Sequence, residues 1–171
     1  TPAPPLRSKL PRVGTTIFTT MSQLALEQGA INLSQGFPDF DVPVELADLL
    51  GHYVRAGYNQ YPPMTGVPYL RNQIALKSES LYGASVDPET EVTVTSGATE
   101  ALLVAIQAVV HPGDEVIVFD PAYDSYAPAV TLCQGVTRHI PLVPPTYGID
   151  WQRLKDAMNA NTRLLILNTP H

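Results

Sequence analysis

One cysteine, Cys133, stands in the whole 171-residue chain, so no internal disulfide can form, and a reducing compartment, the cytoplasm, is the expected setting. Basic residues are scarce. Ten Lys and Arg face sixteen Asp and Glu, a net charge of −6, which excludes the basic footprint of a nucleic-acid binder. No uninterrupted apolar stretch approaches the roughly 20 residues of a membrane helix. The opening Thr1-Pro2-Ala3-Pro4-Pro5 is followed by Arg7 and Lys9 but by no apolar signal core, so a membrane partner is not expected. His52, His111, His139 and His171 are too far apart for metal-ligand spacing. A Gly-x-Ser-x-Gly elbow, the Walker lysine pattern and Gly-x-Gly-x-x-Gly are all missing.

What is present is an ordinary globular composition, 44% hydrophobic and 15% charged, with seventeen prolines and eleven glycines at the joints between periodic segments. Residues 1–14 read as an extended arm held open by proline. Ile17, Met21, Leu24 and Ala25 at helical spacing predict a helix from Thr15 to Gln28, stopped by Gly29. A short strand and then a tight loop, Ser34 to Phe40, are expected within 30–42. A helix follows over about 43–56, with Asp41 as its cap, Pro43 in its first turn and Leu46, Leu49, Leu50, Tyr53 and Val54 as its apolar stripe. Another runs over about 67–82, started by Pro68 and ended by Gly83.

From Val92 the rhythm changes to alternating strand and helix. Strand character is expected at Val92–Thr95, Val116–Phe119, Val136–Leu142 and Leu164–Leu167. Helices are expected at Ala98–Val110, Tyr123–Cys133 and from Trp151 onward, the last capped by Asp150. The Ala98–Val110 helix is apolar nearly all round and is expected to be buried. Such alternation predicts an α/β fold in three layers, a mostly parallel sheet flanked by helices, with ligands at the carboxyl edge of the strands.

Four segments carry candidate chemistry. Val94-Thr95-Ser96-Gly97-Ala98-Thr99-Glu100-Ala101 takes a strand through a small-residue turn into a helix. The first amides of that helix lack internal partners, and the dipole favours an anion there, so Gly97, Ala98 and Thr99 can cradle a phosphate. An ordinary helix start capped by Ser96 fits the same residues. Phe119-Asp120-Pro121-Ala122-Tyr123-Asp124-Ser125-Tyr126 follows a buried strand, and Tyr123 can either stack on a flat heterocycle or sit in the core. Asn59-Gln60-Tyr61 lies in a loop from which the Tyr61 hydroxyl can reach an anion, or which is a plain surface turn. Gln35-Gly36-Phe37-Pro38-Asp39-Phe40 can expose the Gly36 amide to a carboxylate, or is a rigid turn with two packed phenylalanines.

In this order, with Leu167-Asn168-Thr169-Pro170-His171 at the end, these segments resemble the class I aminotransferases of pyridoxal 5′-phosphate (PLP) fold type I, and most of all their kynurenine–oxoglutarate and methionine aminotransferase branch. The resemblance implies an incomplete large domain of that fold over residues 41–171, with an N-terminal arm and small-domain segment over residues 1–40. It implies PLP as cofactor, with Gly97, Ala98 and Thr99 at its phosphate and Tyr123 against its ring. It places Tyr61 at the phosphate of a neighbouring subunit's cofactor, hence a homodimer with a shared site. Gly36 is implied at the substrate carboxylate and Phe18 in the substrate pocket. The substrates implied are an amino acid, apolar or sulfur-containing (methionine, kynurenine, glutamine and aromatic donors all fit the branch), and a 2-oxo acid.

The family's Schiff-base lysine, ring-nitrogen aspartate and carboxylate-binding arginine have no counterpart here. Lys9, Lys77 and Lys155 lie on an arm and two helices, so no catalytic residue is assigned within this chain. A fragment of a longer enzyme is the expectation. Two other readings stay open: a cysteine-conjugate β-lyase using the same cradle, and a non-catalytic binding module that has lost the lysine.

Overall fold

Glu115–Asp120 forms β1, the strand around which the computed structural model is built; the structure describes residues 6–36, 38 and 40–170. Its sequence, Glu-Val-Ile-Val-Phe-Asp, is apolar on both faces, and Val116, Ile117, Val118 and Phe119 are all buried. β1 pairs in parallel with β2 (Val136–Pro141) on one side and β3 (Thr162–Ile166) on the other, giving the order β2-β1-β3.

The helices follow from that order. Among the described residues, four helices precede β1: α1 (Ile17–Gln28), α2 (Val44–Arg55), α3 (Pro68–Tyr82) and α4 (Gly97–Val109). α5 (Tyr126–Leu132) connects β1 to β2, and α6 (Trp151–Ala157) connects β2 back across β1 to β3. The chain steps in opposite directions at these two crossovers, so a common handedness places α5 and α6 on opposite faces. Two apolar clusters result. Val116 and Val118 pack with Ile106 and Val110 of the α4 region and with Tyr126, Ala129 and Val130 of α5. Ile117 and Phe119 pack with Ile140, Leu142 and Leu154 of α6. Three layers with a parallel sheet between helices are thus as expected.

The amino ends of the strands are tied by charge. Buried Glu115 accepts from Arg138 Nη2 on β2 and from Asn159 Nδ2 (2.8 Å) ahead of β3, and these two bonds hold its carboxyl below the usual glutamate range. Arg163 Nε donates to Asp114 (3.0 Å) and lowers that carboxyl as well, with help from the His111 amide. At the other end of β1, a hydrogen bond of 2.9 Å joins Asp120 Oδ1 and His139 Nδ1.

The described chain forms two compact units. One contains residues up to Thr20 and from Ser96 onward, and holds the sheet. The other, Met21–Thr95, holds α2 and α3 and most of α1. In the second unit α3 starts at Pro68 and ends on Gly83 in a left-handed conformation, as its sequence predicts. Arg71 of α3 is 4% exposed and donates to the carbonyls of Pro88 (2.8 Å) and Glu89 and to the Glu89 carboxylate (3.1 Å), clasping the 87–91 turn to the helix.

Several local expectations are corrected. No strand forms among the described residues of 30–42; Asn32 Oδ1 instead accepts from the Ser34 amide and hydroxyl, a local turn that competes with strand pairing. α2 is not capped by Asp41: Pro43 is its N-cap, and the Pro43 carbonyl accepts from Leu46 and Ala47. Val92–Thr95 joins no ladder, its Val94 amide bonding instead to the Thr65 carbonyl. Only Ile106 within α4 is buried, because α5 and the sheet cover one side of a helix that is apolar nearly all round. β3 alternates between half-buried and exposed residues, since among the described residues β1 alone pairs with it. Phe37, Asp39 and His171 lie outside the described residues, and Phe40 is exposed rather than packed. Among the described residues no helix is long and apolar enough to cross a membrane, and no cluster of His, Cys, Asp or Glu could hold a metal ion.

Candidate functional site

The strand order reverses between β1 and β3, and at such a switch point the loops leaving the carboxyl ends diverge and open a crevice. A small depression lies there, lined by Phe119, Pro121, Tyr123, Tyr126, Ile166 and Asn168. The segment from Pro121 to Ser125 that leads into α5 forms much of its wall. α5 begins at Tyr126 and not at Tyr123, because the Tyr126 amide turns back to the Tyr123 carbonyl (3.2 Å) and leaves residues 123–125 as a turn. That turn carries the Tyr123 side chain outward, 43% exposed, with its ring edge-on to Tyr126 at a centroid distance of 5.7 Å.

The start of α4 stands beside it. Gly97 opens the helix with φ +82°, a left-handed backbone that side-chain-bearing residues rarely adopt, and a Cβ there would meet nothing within 4 Å. The glycine answers to the sharp turn, and the space next to it is open. Ser96 is the N-cap by position, but its side chain makes no cap bond. The carboxylate of Glu100 reaches back instead and accepts from the Ser96 amide. Of the two readings of this turn, the one with a side-chain cap from Ser96 lacks its hydrogen bond. The amides of Ala98 and Thr99 belong to the first turn, where an α-helix offers no acceptor, and they lie at the positive end of its dipole.

Thr99 Oγ1 lies 3.4 Å from Tyr123 Oη, longer than a usual hydroxyl–hydroxyl bond but within contact. The Thr99 hydroxyl, and then that of Ser125, hold the Tyr123 phenol below its ordinary pKa, against the opposing effects of burial and of Asp124. The helix start and the outward aromatic, 24 residues apart in sequence, are thereby one constellation.

The remaining predicted residues are placed as follows. Phe18 is half-buried on α1, next to Ile17; Thr15, Thr16 and Ile17 line a cleft against Asp124, Ser125 and Pro128, just past Tyr123. Tyr61 and Gly36 belong to the second unit. Tyr61 is fully exposed in the loop before Gly66, and Gly36 is exposed with open space where a Cβ would stand. Sequence reasoning gave no role to Ser125, Tyr126 or Asn168. All three lie within motifs quoted above, and what brings them to the site is the turn after β1 and the end of β3.

The family described as aminotransferase class I and II matches residues 28–171. Methionine aminotransferase of Escherichia coli is 58% identical over 165 residues, covering 96% of this chain and 43% of that protein. Human kynurenine–oxoglutarate transaminase 3 is 35% identical over 166 residues, covering 91% of this chain and 37% of that protein. The crystal structure of YbdL from Escherichia coli, described as having a methionine aminotransferase function, superposes with a TM-score of 0.93 at 57% identity, over 99% of this chain and 44% of that one. The chain therefore spans less than half the length of these relatives.

Proposed function

The chain belongs to the aminotransferase class I and II family, whose members are pyridoxal-phosphate enzymes of fold type I, and on that premise we propose that the intact protein transfers an amino group between an amino acid and a 2-oxo acid. The observation that carries the proposal is the juxtaposition of the α4 start with Tyr123 at the carboxyl edge of β1. A phosphorylated flat heterocycle needs anion donors and an aromatic face side by side, and these residues supply both.

In this reading the Ala98 and Thr99 amides, with the Thr99 hydroxyl, hold the phosphate, and the glycine at 97 lets the backbone turn sharply enough to present them. Tyr123 stacks on the ring and fixes its plane. Tyr61 serves the phosphate of a second subunit's site, which makes the working protein a homodimer. Gly36 offers its amide to the substrate carboxylate, and Phe18 shields the substrate side chain from water. Residues 1–40 supply the arm and the start of the small domain, and 41–171 the first part of the large domain. PLP, when bound, supplies the electron sink that allows the substrate Cα proton to leave. The similarity to a methionine aminotransferase favours a sulfur-containing or apolar donor, and the single unpaired thiol, Cys133, favours a cytoplasmic setting.

The test is spectroscopic. Purified intact protein supplied with PLP should show a cofactor absorbance band that the cofactor-free protein lacks. The band should shift on addition of methionine and return on addition of a 2-oxo acid. A protein whose spectrum responds to no amino acid refutes the assignment, and pyruvate with ammonia from a cysteine conjugate, in place of a new amino acid, replaces transfer by elimination.

A further inference from the structure

Gly66 stands apart from the other glycines of the chain. Six glycines have a positive φ, and at five of them, Gly29, Gly57, Gly83, Gly97 and Gly113, a Cβ would meet nothing within 4 Å. A turn alone asks for no more than that. Gly66 is buried with φ +103°, and a Cβ there would lie 2.6 Å from Val94 Cγ2 and 2.8 Å from Val94 Cβ. Its backbone is pressed onto the half-buried Val94, and a hydrogen bond of 3.0 Å from the Val94 amide to the Thr65 carbonyl closes the approach. The Gly66 amide in turn donates to the Pro63 carbonyl (2.8 Å). All of these residues lie within the second unit.

Tyr61 stands just ahead of this clasp. The near side of its loop is fastened too: the Tyr58 ring lies edge-on to Tyr53 of α2 at 5.3 Å, and Asn59 Nδ2 donates to the Val54 carbonyl (3.4 Å). Between Asn59 and Pro63 the chain runs through Gln60, Tyr61 and Pro62, and each proline fixes its own φ. A plain surface turn needs no such close approach of backbone to side chain. Here the close approach holds a loop whose aromatic, Tyr61, is fully exposed. Binding groups are commonly presented in this way, on loops positioned by a rigid scaffold. We propose that Gly66 and Val94 are positioning residues that hold the Tyr61 hydroxyl in place for the cofactor phosphate of the neighbouring subunit. The inference rests on the functional reading above and adds to it the clasp that aims Tyr61.

The clasp acts through one hydroxyl on one phosphate, so its loss has a signature that general destabilisation lacks. Dissociation constants for PLP and for pyridoxal, which has no phosphate, should be measured by titrating the cofactor-free intact protein. Tyr61→Phe removes a hydrogen bond to a charged group and should weaken PLP binding roughly tenfold or more. Gly66→Ala should approach that loss. Val94→Ala, which keeps the backbone bond but empties the contact, should cost about threefold. Pyridoxal binding should stay at the wild-type value in all three. In the Tyr61→Phe background neither second substitution should weaken PLP binding further. Hydrogen exchange at the Val94 amide of the cofactor-free protein should quicken in Gly66→Ala. If Gly66→Ala does not fold, Val94→Ala, alone and combined with Tyr61→Phe, decides the matter. Unchanged PLP affinity in Val94→Ala, unchanged exchange at Val94 in a folded Gly66→Ala, equal losses for PLP and pyridoxal, or additive losses with Tyr61→Phe would each overturn the clasp while the aminotransferase reading stands. A Tyr61→Phe protein with wild-type PLP affinity overturns the placement of Tyr61, and the clasp with it. A wild-type protein that binds neither compound overturns the functional reading as a whole.

Discussion

Gly135 stands at the head of β2, and its replacement by alanine tests how the sheet is seated on its helices. A Cβ built there would lie 2.9 Å from Val110 Cγ1, 3.0 Å from Val130 Cγ1 and 3.2 Å from the Asp114 carbonyl oxygen. None of these can move aside cheaply, since Val110 is 5% exposed and Val130 fully buried. Nor can the backbone retreat. The Gly135 amide is bonded to the Val130 carbonyl (3.0 Å), the Gln134 carbonyl to the Gly113 amide (3.0 Å), and the Val136 amide to the Asp114 carbonyl (2.8 Å). Overpacking of this kind costs about 1–3 kcal/mol. Urea denaturation of the intact protein should show Gly135→Ala with a lowered midpoint at unchanged slope. Val110→Ala alone removes buried methyl groups and should cost about 2 kcal/mol. In the double variant the new methyl enters the space that Val110 vacates, so the loss should fall short of the sum by about 1 kcal/mol. A stable Gly135→Ala, or strictly additive losses, would refute the steric account.

Arg71→Lys keeps the charge but loses the planar fork that reaches both the Pro88 and Glu89 carbonyls and the Glu89 carboxylate. It should destabilise by about 1–3 kcal/mol, and hydrogen exchange should report early opening of the 87–91 turn; protection equal to wild type would show the clasp to be idle. For Glu115, the pH dependence has a definite sign. Its carboxyl is depressed in the folded chain by Arg138 and Asn159, so its stabilising contribution is complete above the ordinary glutamate value of about 4.3. That contribution is lost as the pH falls from there through the lower folded value. Glu115→Gln should therefore flatten the acid limb of the stability–pH curve relative to wild type while leaving its shape above about pH 5 unchanged, and parallel curves throughout would count against the assignment.

Much of this architecture is legible in the residues because periodicity and punctuation agree. Pro68 and Gly83 bound α3, Asp150 caps α6 by accepting from the Arg153 amide (3.0 Å), and the all-apolar run of β1 announces a strand covered on both faces. The misses have local causes. Ser96 is the N-cap by position, but its side chain makes no cap bond, and its own amide donates to the Glu100 carboxylate. Asn32 diverts the backbone donors of a would-be strand into a turn. The pairing of Thr99 with Tyr123 was accessible only as an inference that two strand-to-helix turns share one edge. Ser125, whose place depends on where a turn ends and α5 begins, gave no periodic signal at all.

β1 also raises a question of alignment. A strand whose four central residues are all apolar carries no hydrophobic information about its own sliding, since a shift by one position exchanges one greasy face for another. The two carboxylates at its ends act as stops. Glu115 reaches Arg138 on the face shared with Ile117, while Asp120 reaches His139 on the face shared with Val118. One step of slippage would point both acids away from their partners, and two steps would carry them some 6.6 Å too far. The polar ends therefore measure out the strand, and in doing so they fix the height at which the loop bearing the outward tyrosine emerges.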